Sequence, residues 1–180
     1  MTPIKYPAPL RAVHWLRALV IVATLAIGAI MTLLANEVPI KYATLYPWHK
    51  QLGLLALLLG GTQLLLRVFF KAPVLPQALS PWERFAARFG HVALYVLMIV
   101  VPVMGYCMSS VYEFSDGVPF FGLSLPELLP KSKEGFEWFQ LIHKVLAYVL
   151  LGVIAAHVAG AVKHRWFDRN PEADVLRRML

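Results

Sequence analysis

Apolar residues fall into four long blocks, at residues 10–35, 49–70, 89–108 and 138–163, separated by stretches that hold most of the charge and proline. Each block reaches about 20 residues or more, the length a helix needs to cross a hydrocarbon slab of ~30 Å. The first nine residues hold three prolines, so the first helix is predicted to begin at Leu10. Asn36 to Pro47 reads as a short polar link, and Trp48-His49-Lys50 opens the second block. Lys71 to Arg88 reads as an exposed connection with a helical start at Pro81-Trp82-Glu83-Arg84. Ser109 to Glu137 is too long for a simple turn, and its Val118-Pro119-Phe120-Phe121-Gly122-Leu123 segment is apolar without spanning length. That predicts a cap lying on the membrane surface. The tail, residues 164–180, is polar with an amphipathic end from Val175 to Leu180. The predicted fold is all-α: one domain, an integral membrane four-helix bundle running up-down-up-down, with a long outer loop between helices three and four.

Hydrophobic residues make up 59% of the 180 positions, against ~45–50% in soluble domains, so the blocks are membrane spans rather than buried core helices. The first span is too long for a signal h-region and lacks a cleavage site after it, so it is expected to be retained. A net charge of +7 would suit nucleic acid, but the Lys and Arg residues flank apolar spans instead of forming one patch beside exposed aromatics. No nucleic-acid partner is expected; the surroundings are membrane lipid. Cys107 is the sole cysteine, which excludes an internal disulfide, a Cys-x-x-Cys-His haem attachment and a thiolate-held cluster. Trp15, Trp48, Trp82, Trp138 and Trp166 all fall near span ends, as an aromatic belt requires.

Charge also sets the orientation. The N-terminal segment, the second connection and the tail, with adjoining helix ends, carry twelve Lys/Arg against four acids; the other two connections carry five Lys against six acids. By the positive-inside rule both termini are cytoplasmic.

Histidines supply the candidate chemistry. His143 and His157 lie fourteen residues apart in the last span, which is close to four helical turns, so both rings project from one face about 21 Å apart. His14 and His157 then lie near the cytoplasmic face, His49 and His143 near the outer face. Each level receives one histidine from span four and one from another span. A lone intramembrane histidine reads as a packing or proton-relay residue, and a metal or proton transporter is a further alternative, although the spans lack the buried carboxylates that cation pathways use. Zinc would want four ligands, or three and water. Two imidazoles facing each other with no Cys, Asp or Glu at their depth suit axial ligation of a planar haem.

The chain resembles the bacterial cytochrome b561 family in its early His14-Trp15, His49-Lys50-x-x-Gly53, Gly90-His91 with Leu94-Tyr95, the Phe121-Gly122-Leu123 loop, and His143 with His157. The resemblance implies an inner-membrane protein with two b haems, held by His14 with His157 on the cytoplasmic side and by His49 with His143 on the outer side. It implies electron exchange with ubiquinone on the cytoplasmic side, where His91, His164 and Ser80 are candidates for the quinone and its protons. Some relatives carry a lysine in the second connection, where this chain has Gln77 and Ser80. Arg17 and Arg67, costly at membrane depth unless paired, are candidate propionate contacts, as are Lys50 and Lys144 beside the outer ligands; lipid phosphate is the alternative partner. The expected activity is a superoxide:ubiquinone oxidoreductase. The alternative is a cytochrome b relay subunit docking a periplasmic redox protein on the acidic Ser109 to Glu137 loop.

Overall fold

A computed structural model describes residues 4–115 and 117–180. Four long helices dominate: α1 (Ala8–Leu33), α2 (Tyr46–Phe69), α3 (Pro81–Val111) and α4 (Lys133–Trp166). All four are long and apolar enough to cross a membrane, and they form an up-down-up-down bundle with both termini at one end. That end is the terminal end below; the other is the hairpin end.

Each helix starts ahead of its apolar block, for identifiable reasons, while α1 and α2 end at Leu33 and Phe69, just short of the expected Ala35 and Phe70. α1 starts at Ala8 rather than Leu10, because Pro9 falls in the first turn, where a missing N–H costs nothing. The segment before Pro7 is described only from Ile4 on. α2 begins at Tyr46 with Pro47 in its first turn, and a π-helical turn, Lys41–Leu45, runs into it, so the presumed polar link is partly helical. The buried Lys41 ammonium bonds the Leu34 carbonyl at 3.0 Å and Asn36 Oδ1 at 2.8 Å, so it caps the end of α1. α3 starts at Pro81 with a full capping box: the Ser80 hydroxyl accepts from the Glu83 N–H, and the Ser80 N–H donates to Glu83 Oε2. The helical start expected at Pro81 within the connection therefore runs unbroken into the third span as one helix. α4 is capped by Ser132, whose hydroxyl accepts from Gly135 N at 3.0 Å.

Helix α1 packs on α2, α2 on α3 and α3 on α4. The core is one cluster at mid-height: Val20, Ile21, Ala56, Leu94, Leu97, Met98, Val101 and Leu150. Pro102 within α3 has no N–H for the Met98 carbonyl, and that oxygen lies 4.0 Å from where a Cβ on Gly60 would stand, so the glycine brings α2 close. Leu150 is the single buried residue of α4. Large apolar side chains such as Leu19, Val68, Val92, Val145 and Val158 are exposed around the bundle, as a lipid-facing surface demands.

The connection between α3 and α4 departs from an all-helical reading. Val118–Phe120 (β1) and Leu123–Leu125 (β2) pair antiparallel, with Phe120 opposite Leu123. The two-residue turn places Phe121 at φ 46° and Gly122 at φ 90°, the left-handed pair that matches strand twist. Gln51 on α2 holds the turn by accepting from the Phe121 N–H at 2.9 Å, and Trp48 meets the Phe121 ring edge-on at 6.3 Å. At the base, Ser110 Oγ accepts from the N–H groups of Leu128 and Leu129 at 2.9 and 3.0 Å. The cap thus sits on the turn of α2 that carries His49.

The tail, too, is docked. It forms two 3-10 turns, Pro171–Ala173 and Leu176–Arg178, and lies against the start of α1. Tyr6 N–H donates to the Arg178 carbonyl at 2.9 Å, Trp15 Nε1 to the Met179 carbonyl at 2.8 Å, and Arg178 Nε to the Ile4 carbonyl at 3.2 Å. Ala173, Asp174 and Arg178 are buried there.

Candidate functional site

At the hairpin end, His49 in the first turns of α2 faces His143 on α4, with ring centroids 6.1 Å apart and planes at 86°. Each ring is fixed from behind. His49 Nδ1 lies 3.1 Å from the Thr24 carbonyl on α1, and His143 Nδ1 lies 2.9 Å from the Val101 carbonyl on α3. A carbonyl can only accept, so Nδ1 carries the hydrogen and Nε2 keeps its lone pair. Glycines make this possible. A Cβ on Gly28 would stand 3.0 Å from His49 Cε1, and one on Gly105 would stand 2.9 Å from His143 Cε1.

At the terminal level, His14 on α1 faces His157 on α4 at 6.4 Å and 61°. His91 on α3 approaches the same His157 ring at 5.5 Å, and Trp15 meets His14 edge-on at 5.3 Å. The Arg17 and Arg67 guanidiniums each lie 5.6 Å from the centre of the Tyr95 ring. Buried atoms without a partner include Arg17 Nη1 and Gln63 Oε1.

One register relates the two levels. His143 and His157 are fourteen residues apart on α4, and the same spacing separates His49 from Gln63 on α2, His14 from Gly28 on α1, and His91 from Gly105 on α3. Fourteen residues on straight helices carry a face about 21 Å along the axis, so each helix presents one position to each level. Gly28, Gly105 and Gln63 had gone unnoticed in the sequence, where only the spacing on α4 stands out. Repeating that interval from each histidine would have found them.

The residues fit a planar, axially ligated metal group at each level. With a metal–imidazole bond of about 2.0 Å, two rings bound on opposite sides of one ion have centroids about 6.3 Å apart, and the two pairs stand at 6.1 and 6.4 Å. A Cβ on Gly53, one turn past His49, or on Gly160, one turn past His157, would meet nothing within 4 Å. The unpartnered Arg17 Nη1 offers a donor to a carboxylate. Among the described residues no third His, Cys, Asp or Glu completes a metal cluster at either level.

The other candidates lie toward the rim. The Ser80 hydroxyl is engaged in the α3 cap, and its neighbour Pro81 lines an open cavity of about 490 Å³ with Val74, Leu75, Gln77, Arg84, Phe85 and Arg88. His164 Nδ1 lies 2.6 Å from Asp168 Oδ2, and the hydrogen bond from His164 holds the Asp168 carboxyl below its usual range. Glu83, His164 and Asp168 have ligand atoms within 4.8 Å of one another, with Lys163 paired to both acids. Glu83 thereby joins Ser80 to His164, whereas His91 turns inward to His157. Lys144 is exposed, and Lys50 is half-buried beside His49.

Residues 5–180 match the family model described as prokaryotic cytochrome b561. The chain belongs to the prokaryotic cytochrome b561 family. Among relatives, "Cytochrome b561 homolog 2" of Escherichia coli (strain K12) is 31% identical over 182 residues, covering 99% of this chain and 93% of the relative. "Probable superoxide oxidase CybB" of Yersinia pestis is 27% identical over 185 residues, covering 98% and 96%. "Cytochrome b561 homolog 1" of Escherichia coli (strain K12) is 22% identical over 139 residues, covering 77% and 76%. Membership makes the chain a multi-pass membrane protein of a b-type haem family, suited to electron transfer and oxidoreductase chemistry.

Proposed function

We propose that this cytochrome binds two b haems, one between His49 and His143 and one between His14 and His157, and carries electrons across the bacterial inner membrane to ubiquinone. The observation that carries the reading is the pair of imidazole couples, 6.1 and 6.4 Å between centroids, set fourteen residues apart on α4. The basic terminal end faces the cytoplasm and the hairpin end the outer side.

When bound, each haem supplies an iron that takes up and gives up one electron. The chain does the rest. The Thr24 and Val101 carbonyls hold His49 and His143 by Nδ1, which fixes each ring and leaves Nε2 as the atom that would hold the metal. Arg17 and Arg67 receive propionates at the terminal level, Lys50 and Lys144 at the hairpin level. The donor is superoxide, as the printed name of the Yersinia pestis relative supports. Two superoxide anions yield two O₂, and their two electrons with two cytoplasmic protons convert one ubiquinone to ubiquinol. His164, oriented by Asp168, and His91, beside the terminal pair, hold and pass those protons; the cavity lined by Gln77 and Pro81 lies at the same end.

A second reading is a relay subunit that docks a periplasmic redox protein. Phe114, Phe121, Leu123 and Leu128 are all exposed on the α3–α4 connection, an apolar surface at the donor end. The test is ubiquinone reduction by purified, haem-loaded protein supplied with superoxide. Turnover well above a His49→Ala control is the expected result, and turnover equal to that control refutes the superoxide reading.

A further inference from the structure

At the terminal end, the chain between α2 and α3 runs beside the first turns of α3 and leaves an open cavity of about 490 Å³, within the size range of small-molecule sites. Arg84 and Arg88 both line it. They stand four residues apart on α3, one turn from each other, where like charges repel. Among the described residues no Asp or Glu lines the cavity and no carboxylate pairs with either guanidinium. Glu83, the adjoining acid, is committed to the Ser80 cap and to Lys163. Arg84 Nη1 reaches the Gln77 carbonyl at 3.5 Å, the outer limit of a hydrogen bond, and that neutral partner leaves its charge standing. Two uncompensated guanidiniums at one cavity suit an anion with several acceptor oxygens, and the planar fork of each matches a phosphate.

Further along, the same helix turns apolar. Phe85, itself a lining residue, is exposed, as are Phe89, Val92 and Val96, at steps of four, three and four residues that keep to one face of α3. The rings of Trp82, Phe85 and Phe89 stack in series, with centroids 5.5 and 6.4 Å apart and planes at 28° and 18°. From the helix start inward, the face therefore offers two cations at a cavity, stacked rings, then branched aliphatic side chains. A phospholipid runs in the same order, from phosphate through glycerol to acyl chain. A soluble phosphate compound would use the cations and leave the stripe bare, and a quinone head is neutral, with nothing to balance two guanidiniums.

We propose that this cavity and stripe bind an anionic glycerophospholipid. Its phosphate lies between Arg84 and Arg88, and an acyl chain follows Phe85, Phe89, Val92 and Val96. Basic pockets at the ends of membrane helices hold anionic headgroups through such charge. Binding is noncovalent and requires neither electron transfer nor quinone.

Lipid retention by purified, haem-loaded protein tests this. Protein in detergent is titrated with phosphatidylglycerol or with phosphatidylcholine of the same chains, and bound lipid per chain is counted by native mass spectrometry. The wild type is expected to retain phosphatidylglycerol well above phosphatidylcholine. Arg84→Gln/Arg88→Gln is expected to weaken phosphatidylglycerol roughly 30-fold, the worth of two basic contacts at a membrane surface. Arg88→Lys, which keeps the charge, stays near the wild type. Lys5→Gln/Arg169→Gln removes the same charge from exposed positions at the same end and keeps the preference. Equal retention of the two lipids by the wild type overturns the proposal. So does a preference that survives the Arg84/Arg88 variant, or one that falls as far in the Lys5/Arg169 variant. Displacement of the lipid by glycerol phosphate at equal concentration assigns the cavity to a soluble phosphate compound, and displacement by short-chain ubiquinone assigns it to quinone; either result overturns the proposal. Should the Arg84/Arg88 variant fail to load haem, Arg88→Gln decides alone, with a loss of roughly 5-fold expected. Arg88 is exposed and, among the described residues, makes no bond within the chain, so its replacement leaves the fold in place.

Discussion

Replacing Gly105 by alanine adds one methyl group behind His143 of α4. The new Cβ would stand 2.9 Å from His143 Cε1 and 3.1 Å from Nδ1, about 0.5 Å short of ordinary van der Waals contact for the nearer atom. The ring cannot tilt away freely, because Nδ1 is bonded to the Val101 carbonyl at 2.9 Å on the same helix as the glycine. Relief therefore breaks that bond, at about 1 kcal/mol, and also strains the packing by about 1–3 kcal/mol. The two together come to about 2–4 kcal/mol, and at about 1.4 kcal/mol per tenfold this weakens haem retention at the hairpin level roughly 30-fold to several-hundred-fold. The assay is haem per chain by pyridine haemochrome after detergent dilution, beside the Soret spectrum. One haem per chain is expected for Gly105→Ala, with the His14–His157 level intact. Gly61→Ala, where a Cβ meets nothing within 4 Å, is the control and keeps both. A Gly105→Ala protein that retains two haems with an unshifted spectrum refutes the packing argument.

Gly28→Ala, whose Cβ would stand 3.0 Å from His49 Cε1, is expected to loosen the same level from the other side, read by the same haem count. Asp174→Asn removes the partner of Arg165 and Arg177 in the buried base of the tail, at about 1–3 kcal/mol, and limited proteolysis should then clip the tail ahead of the helices. Gly122→Val forces a β-branched residue to φ 90°, at about 1–3 kcal/mol, and should expose the β1–β2 turn to protease while haem content at the terminal level stays fixed. Asp168 has a lowered pKa, so its bond to His164 contributes fully above the carboxyl's ordinary value, about pH 4, and is lost only as pH falls through the depressed one. Fluorescence of tryptophans at that end should register the loss of this bond only below about pH 4; a carboxylate step centred above that value contradicts this sign.

The bundle was legible because its signal is repeated over some twenty residues four times, and the depth of each histidine follows from its place in a span. The helix ends were less so. Pro9 and Pro47 look like breakers in a sequence, yet each sits in a first turn, where proline is tolerated, as Pro81 does at the expected helical start. The β1–β2 turn was hidden because its left-handed pair is Phe121-Gly122 instead of the usual Asn-Gly, and because Gln51, seventy residues away, secures it. Tail docking was invisible for the same reason: its bonds join Ile4 and Tyr6 to Arg178 across the whole chain. At the site, histidines announce themselves by type, whereas Gly28 and Gly105 matter only for the space they leave. Gln63 gains meaning only when helix packing sets it at the level of Arg17 and Tyr95. Ser80 was chosen as a site residue for its place in the connection; the structure gives its hydroxyl to the α3 cap.

Two haems, one per level, are what every statement about electron transfer above requires. A redox-titrated absorption spectrum of the purified protein, with haem counted per chain, measures this in one preparation. Two low-spin b centres per chain, falling to one in His49→Ala and to one in His14→Ala, are expected. A colourless protein, or a single centre that survives either substitution, contradicts a pathway built on these two histidine couples.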